Sequence, residues 1–75
     1  MPKLPVVSGE EVIKALAKVG FSHIHTTGSH AILKREDATG KKVIPVPLHN
    51  ELAKGTLISI MHQSGLNRDE FLDLF

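Results

Sequence analysis

The chain has 75 residues, of which 41% are hydrophobic and 23% are charged, and its formal net charge is +1. This length has room for one hydrophobic core, so we expect a single domain over residues 1–75. The chain contains no cysteine, which excludes disulfides and thiolate metal sites. No stretch approaches the roughly 20 apolar residues of a membrane span, and the prolines among residues 1–7 are unlike a signal peptide. We therefore expect a cytoplasmic protein with no membrane partner.

Charge is distributed unevenly along the chain. Residues 30–55 carry five basic and three acidic side chains, whereas residues 56–75 carry one basic and three acidic side chains. The middle of the chain is therefore expected to attract phosphate groups, and the C-terminal part is not. A net charge of +1 permits nucleic-acid binding but does not establish it.

A first helix is predicted near the N-terminus. Ser8 and Glu11 have the spacing of a capping box, in which each side chain bonds to the backbone amide of the other residue. Apolar residues then repeat at helical spacing as far as Val19, and Gly20 supplies a left-handed stop. The pattern predicts a helix over about residues 9–19.

Three strands are predicted to follow this helix. Residues 21–26 and 30–36 suit strands and are separated by the Gly28-Ser29 turn. A third strand over residues 42–48 follows the polar turn at residues 37–40. Short turns between successive strands indicate an antiparallel meander.

Alternation along the second and third strands predicts which side chains share a face. The second strand has two sets, one of His30, Ile32 and Lys34 and the other of Ala31, Leu33 and Arg35. In the third strand Pro45 and Pro47 have no amide hydrogen to donate, and residues two apart direct their amides the same way. We therefore expect the third strand to be an edge, with its proline side facing outward.

Two further helices are predicted in the C-terminal third. Thr56 is the expected N-cap of a helix over residues 57–63 that Gly65 ends, after a loop over residues 49–55. Asn67 and Glu70 form a second capping-box pattern at the start of a short terminal helix.

The predicted order of elements is helix, three strands, helix and short helix. An α+β two-layer sandwich, in which the helices cover one face of a three-stranded antiparallel sheet, buries every apolar stripe of this pattern. The other face and the free edges of the sheet are then available to a partner or substrate.

Four of the five histidines fall in the strand region, at His23, His25, His30 and His49. His23 and His25 are two residues apart and are expected to share a face. With His30 they have the composition of a three-histidine zinc site, but the spacing matches no established ligand motif. Solvated surface histidines are the alternative, and His62 is expected on the surface of a helix.

His30 and His49 form a different pair. His30 begins the second strand and His49 follows the third, so antiparallel pairing through the intervening turn would bring them to the same end of the sheet. Histidine exchanges a proton near neutral pH and is the side chain most often used in acid–base catalysis. The pair is therefore a candidate acid–base site.

An ordered set of segments resembles the HicA toxins, the small RNases of HicA–HicB toxin–antitoxin systems. The set comprises Val19-Gly20-Phe21, Gly28-Ser29-His30, Val43-Ile44-Pro45-Val46-Pro47-Leu48-His49, Lys54-Gly55-Thr56-Leu57, Ser64-Gly65-Leu66 and Glu70-Phe71-Leu72. The resemblance implies a fold like that of double-stranded-RNA-binding domains, and mRNA cleavage that needs no metal or other cofactor. It also implies that His30 is catalytic and that a HicB-type antitoxin covers the active site. The sequence departs from many relatives at Ala31, where they carry a second basic or histidine side chain.

Cleavage of RNA without a metal requires a base, an acid and positive charge near the phosphorus. The candidate catalytic residues are His30 and His49, and the candidate RNA-binding residues are Ser29, Lys34, Lys41, Lys42 and Lys54. The chain has no tyrosine or tryptophan for base stacking, so recognition is expected to depend on backbone and shape. The alternatives are a non-catalytic RNA-binding module of the same fold and a protein-interaction domain that uses its free sheet edge. The sequence specifies neither the cleavage preference nor the oligomeric state.

Overall fold

Six elements follow one another in the computed structural model, which describes residues 4–75. They are α1 (Gly9–Ala17), β1 (Ser22–Thr27), β2 (His30–Asp37), β3 (Gly40–Pro47), α2 (Lys54–Ser64) and α3 (Arg68–Leu72). The predicted α+β order is confirmed. Residues 1–3, part of the segment compared with a signal peptide, lie outside the described residues.

The start of α1 is a capping box, as predicted. The Glu11 amide donates to Ser8 Oγ, and the Ser8 amide donates to Glu11 Oε1, each over 3.1 Å. The helix ends at Ala17, two residues before the predicted end, and Gly20 takes the left-handed conformation with a φ of 93°. Glycine accepts this conformation without steric cost, so the chain can turn directly into the sheet.

The sheet is an antiparallel meander with β2 in the centre. Ala31 and Leu33 of β2, with Ile44 and Val46 of β3, are fully buried beneath the helices. His30, Ile32 and Lys34 alternate with these positions and take the open face, which confirms the predicted division of β2. Both layers of the predicted sandwich are therefore present, with one sheet face left uncovered.

The outer side of β3 carries the prolines, as predicted. The Leu48 amide donates to the Ser29 carbonyl oxygen over 2.8 Å, so the amides of even-numbered residues in β3 point toward β2. Pro45 and Pro47 are odd-numbered, so their backbone nitrogens, which carry no hydrogen, face away from β2. β3 is an edge strand.

A β-bulge in β1 separates His23 from His25. His23 lies opposite Leu33 on the helix-covered face, whereas His25 lies opposite Ile32 on the open face. The prediction that these two histidines share a face is wrong, because the extra residue Ile24 reverses the alternation between them. The His23 ring instead bonds locally, with Nε2 at 2.9 Å from Thr26 Oγ1.

The second helix begins earlier than predicted. α2 starts at Lys54 with Ala53 as its N-cap, and the Ala53 side chain makes no capping hydrogen bond, so the prediction of Thr56 as N-cap is wrong. A tertiary contact fixes the chain just before this start, since the Leu52 amide donates to the Val7 carbonyl oxygen over 2.8 Å. This contact outweighs the local capping preference of threonine. The left-handed stop at Gly65 is confirmed.

The terminal helix α3 has the predicted capping box. The Glu70 amide donates to Asn67 Oδ1 over 2.8 Å, and the Asn67 amide donates to Glu70 Oε1 over 2.9 Å. Phe71, on its inner side, is fully buried in the core.

Candidate functional site

His30 is presented by a tight turn at one end of the sheet. It lies opposite Thr27 of β1 and Pro47 of β3, and the two residues of the turn are Gly28 and Ser29. Gly28 has a φ of 57°, which glycine adopts readily and other residues do not. Ser29 Oγ lies 3.3 Å from Nδ1 of the exposed His30 ring. Within residues 4–75 the other ring nitrogen, Nε2, has no hydrogen-bond partner and is available for chemistry.

The His30 side chain borders an open groove of about 420 Å³ between β3 and α2. Its lining residues are His30, Pro45, Pro47, Gly55, Thr56, Ser59, Ile60 and Gln63. The helical residues among them recur at intervals of three and four, so they form one face of α2. The groove therefore has a rigid proline wall, a mainly polar helical wall and a histidine at its border.

The positive end of α2 opens onto this groove. Ala53 makes no side-chain cap, and the first-turn residues Gly55 and Thr56 line the groove. The first amides of a helix have no intrahelical acceptor and carry the positive end of the helix dipole. Lys54, the first residue of α2, adds a formal charge beside them. This end of the groove is suited to a negatively charged group.

His49 lies at the same end of the sheet but does not line the groove. Two residues beyond β3, the chain has turned toward α1, and the Gly9 amide donates to the His49 carbonyl oxygen over 3.0 Å. The ladder brings the ends of β2 and β3 together as predicted, because His30 lies opposite Pro47. The His49 side chain is exposed beside this contact.

The start of α1 packs closely against the end of β3, where Pro47 lines the groove. A Cβ atom at Gly9 would lie 3.1 Å from the carbonyl carbon of Pro47 and 3.2 Å from Cα of Leu48. It would approach the Pro47 carbonyl oxygen even more closely. Only glycine allows this approach between two backbone segments.

The predicted RNA-binding lysines are spread over the molecule. Lys34 shares the open face with His30 but lies about 13 Å further along β2, and its Nζ is 3.9 Å from Glu36 Oε1. Lys54 immediately precedes the groove-lining residues of α2. Lys54 is therefore the lysine most directly placed to act with His30.

Lys41 and Lys42 lie near the far end of the β2–β3 hairpin. Lys41 is opposite Glu36, which puts it about 20 Å along the sheet from His30. Lys42 points to the helix-covered side, since its Cε lies 3.0 Å from the position of a Cβ at Gly65. The structure does not bring either lysine to the groove.

The hairpin turn at this far end contains the carboxylate of Asp37. The Thr39 hydroxyl and amide donate to Asp37 Oδ1 and hold the pKa of this carboxyl below its ordinary value. Desolvation opposes this lowering of the Asp37 pKa, and the charges of Arg35 and Lys42 add to it. These contacts stabilise the turn and are remote from His30.

Residues 9–66 match the family model described as HicA toxin of bacterial toxin–antitoxin. The chain belongs to the HicA toxin family. The match spans the groove, from the turn before His30 to Gln63, and ends before α3. No curated protein matches the chain in sequence.

Ala31, where the resemblance implies a basic or histidine side chain, has a clear structural setting. Ala31 is fully buried opposite Val46, on the helix-covered face of β2. A side chain at this position points away from the open face that carries His30. In this HicA toxin, residue 31 contributes to the core and not to the groove.

Sequence reasoning missed the helical wall of the HicA groove. The sequence predicts Thr56 as an N-cap and indicates no role for Ser59 or Gln63, yet all three line the groove. Their spacing of three and four residues on a helix is the signal that identifies one polar face. The groove also needs the β3–α2 packing, which the sequence does not specify.

Residues 4–75 of this HicA toxin contain neither a metal-binding cluster of side chains nor a membrane-spanning helix. Among residues 4–75, no three side chains of histidine, cysteine, aspartate or glutamate lie close enough together to hold a metal ion. None of the described helices has the length and hydrophobicity to cross a membrane.

Proposed function

We propose that this member of the HicA family is an endoribonuclease that cleaves mRNA, with His30 as a catalytic residue. The observation that carries the proposal is that His30 and the first-turn residues Gly55 and Thr56 of α2 line the same groove. A phosphate in this groove would meet backbone amides, the Lys54 ammonium and a histidine nitrogen together. Since mRNA is the substrate, the proposed place of action is the cytoplasm.

The residues at the groove fit RNA cleavage by internal transfer. The ribose 2′-oxygen attacks the adjacent phosphorus, the bond to the 5′-oxygen breaks, and a 2′,3′-cyclic phosphate and a 5′-hydroxyl are formed. Nε2 of His30 takes the proton from the 2′-hydroxyl, while Ser29 holds Nδ1 and so orients the ring. The α2 amides and Lys54 stabilise the negative charge that builds up on the phosphate oxygens. Each step uses groups of the chain, so the proposed reaction requires no metal or cofactor.

The second proton transfer, to the leaving 5′-oxygen, is assigned to His49 as the other histidine at this end of the sheet. His49 does not line the groove, so its contribution is expected to be smaller than that of His30. Lys34, Lys41 and Lys42 are proposed to bind RNA backbone away from the cleaved bond. Lys34 and Lys41 share the open face of the sheet, where their spacing suits contacts to successive phosphates, whereas Lys42 would contact RNA from the helix-covered side.

The direct test compares cleavage of single-stranded RNA by the wild type and by the His30→Ala variant, in the presence of EDTA. One acid–base group contributes about 10²–10⁴-fold, so His30→Ala should lose about that factor, and His49→Ala less than tenfold. His25→Ala is the matched control, because His25 is an exposed histidine on the same open face and does not line the groove. Undiminished cleavage and growth arrest by His30→Ala would refute the catalytic assignment.

A salt titration of RNA binding separates the remaining alternatives. If the wild type binds RNA in a salt-dependent manner but never cleaves it, the chain is a non-catalytic RNA-binding module. If it shows no salt-dependent binding, both RNA functions fail and a protein-interaction domain is favoured.

We also propose a HicB-type antitoxin that covers the groove. Membership of a toxin–antitoxin family supports a protein partner, and the groove is open to solvent. The neighbouring gene is expected to encode this partner as a small acidic or dual-domain protein. Its addition should abolish RNA cleavage and protect the α2 amides from hydrogen exchange. Inhibition without protection of α2 would place the antitoxin elsewhere.

A further inference from the structure

We propose that the RNA strand on the 5′ side of the cut lies along the open face of the sheet, with one nucleotide for every two residues of β2. This inference rests on the proposed ribonuclease function and adds a binding track to the groove. The track consists of the open-face residues of β2 and β3 that lie beyond the groove, Ile32, Lys34, Glu36, Lys41 and Val43. All five are exposed or partly exposed.

The groove and the open face are continuous. His30, Pro45 and Pro47 line the groove, and by the register of β2 and β3 the same three residues belong to the open face. Pro47 lies opposite His30, and Pro45 lies opposite Ile32, the first residue of the track. A strand that leaves the groove at His30 therefore comes directly onto the track.

The side chains of one sheet face repeat at the spacing of an extended RNA backbone. Residues on the same face are two apart, which is about 6.6 Å along a strand. A nucleotide contributes six backbone bonds and an amino-acid residue contributes three, so an extended nucleotide also spans about 6.6 Å. Successive nucleotides can therefore keep pace with successive open-face positions of β2.

The two lysines of the track fall at phosphate positions of this register. Counted from a nucleotide at His30, Lys34 is two steps away, at about 13 Å along the sheet. Lys41, opposite Glu36, is three steps away, at about 20 Å. The second and third phosphates upstream of that nucleotide therefore each meet one ammonium group.

The remaining surface of the track is apolar. Ile32 is partly exposed, and Val43, opposite Lys34, is 46% exposed. Aliphatic side chains offer no hydrogen bond to a base edge, but they can contact the face of any base, since every base has one. We therefore expect the track to add affinity with chain length and not with base sequence.

The polarity of the strand follows from the proposed role of His30. The 2′-hydroxyl that His30 deprotonates belongs to the nucleotide on the 5′ side of the cut. Its ribose therefore lies at His30, where the track begins. The cleaved phosphate lies at the first turn of α2, inside the groove. The 5′ part of the strand is thus the part directed over the open face.

Glu36 is the carboxylate of the track and opposes RNA binding there. Its Oε1 lies 3.9 Å from Lys34 Nζ, and the residue lies opposite Lys41 in the ladder. A carboxylate beside both cations competes with phosphate for them and repels the strand. The Glu36 side chain is 67% exposed, so Glu36→Gln should keep the fold and strengthen RNA binding.

The experiment uses DNA oligonucleotides that contain a single ribonucleotide, which fixes the cut because only that nucleotide has a 2′-hydroxyl. In one series the 5′ part grows from one to five nucleotides while the 3′ part is constant, and in the other series the reverse holds. The measured quantity is kcat/KM. It should rise with 5′ length up to about four nucleotides, where the third upstream phosphate reaches Lys41, and should depend little on 3′ length.

Three variants test whether the track causes this length dependence. Lys34→Ala and Lys41→Ala should lower kcat/KM about two- to fivefold for substrates that reach the missing ammonium, and leave shorter substrates unchanged. Glu36→Gln should raise kcat/KM for the same long substrates. Lys14→Ala is the matched control, because it removes an exposed positive charge from α1 in the helix layer. A loss of stability alone would affect all lengths equally.

Two kinds of result would overturn the inference and leave the ribonuclease function standing. One is a dependence on 3′ length in place of 5′ length, or lysine effects that are the same for short and long substrates. The other is a loss of antitoxin affinity in Lys34→Ala and Lys41→Ala with unchanged RNA cleavage, which would assign the open face to the protein partner.

Binding decides the inference if the wild type does not cleave these substrates. The salt dependence of affinity for a short single-stranded RNA is then compared between the wild type and the same variants. A slope of log affinity against log salt that is shallower by about 0.7 for each track lysine removed supports the track, even where no RNA is cleaved and the ribonuclease proposal has failed. Slopes equal to that of Lys14→Ala refute it.

Discussion

Gly9→Ala is predicted to destabilise the fold, although alanine favours helices over glycine. A Cβ at position 9 would lie less than 3.0 Å from the carbonyl oxygen of Pro47 and 3.2 Å from Cα of Leu48. Because these are backbone atoms, no side-chain rotation can relieve the overlap. Either the start of α1 or the end of β3 must move.

The size of the effect follows from three contributions. Overpacking costs about 1–3 kcal/mol, and displacement of the helix start weakens the Gly9–His49 hydrogen bond, which is worth about 1 kcal/mol. The helix preference of alanine offsets at most about 1 kcal/mol. The free energy of unfolding should therefore fall by about 1–3 kcal/mol, and each kcal/mol corresponds to about 4–8 °C in Tm for a domain of this size.

Gly55→Ala is the matched control for this prediction. Gly55 also lies in the first turn of a helix, but outside its own helical turn no atom of residues 4–75 comes within 4 Å of the position of its Cβ. The same substitution should here raise the free energy of unfolding by about 0.5–1 kcal/mol. Thermal and urea unfolding, followed by circular dichroism, measure both variants. Equal stability of Gly9→Ala and wild type, or shifts of the same sign in the two variants, would refute the reasoning.

Two further predictions concern the turns at the two ends of β2. Ser29→Ala should lower the rate of RNA cleavage about two- to tenfold, because the contact that orients His30 is lost. Ser29→Thr should restore the rate. A loss of RNA affinity with an unchanged rate would contradict the orienting role and favour the RNA-binding role predicted for Ser29 from the sequence. The pKa of Asp37 is lower in the folded protein than in the unfolded chain. The carboxylate therefore stabilises the fold at pH values above the ordinary pKa of aspartate, and this stabilisation is lost as the pH falls through the lowered pKa. When denaturation is measured at a series of pH values, the free energies of unfolding of wild type and Asp37→Asn should therefore converge below about pH 4. A difference in the free energy of unfolding that stays constant or widens there would be inconsistent with the Thr39 contacts.

Local sequence patterns predicted the elements whose causes are themselves local. The capping boxes at Ser8 and Asn67 depend on residues three apart, and both are present. The burial alternation of β2 and the outward prolines of β3 depend on a period of two along each strand, and both are confirmed. These features need no knowledge of which segments pack together.

The incorrect predictions concern features that depend on contacts between distant segments of the chain. Nothing in residues 22–27 marks Ile24 as an extra residue, because the bulge is defined by its pairing with β2. Thr56 has the chemistry of an N-cap, but the contact of Leu52 with Val7 sets the helix start three residues earlier. The turn before His30 is recognisable in the sequence, whereas the groove beside His30 depends on how α2 packs against β3.

The prolines of β3 have a consequence for self-association. Cross-β aggregates grow by adding strands to an exposed edge, and each added strand needs the amide hydrogens that Pro45 and Pro47 lack on the outer side of β3. Growth on the opposite edge would meet the bulge at Ile24, where the regular spacing of donors and acceptors is interrupted. The sheet that supports the groove is thus poorly suited to templating amyloid-like polymerisation from either side.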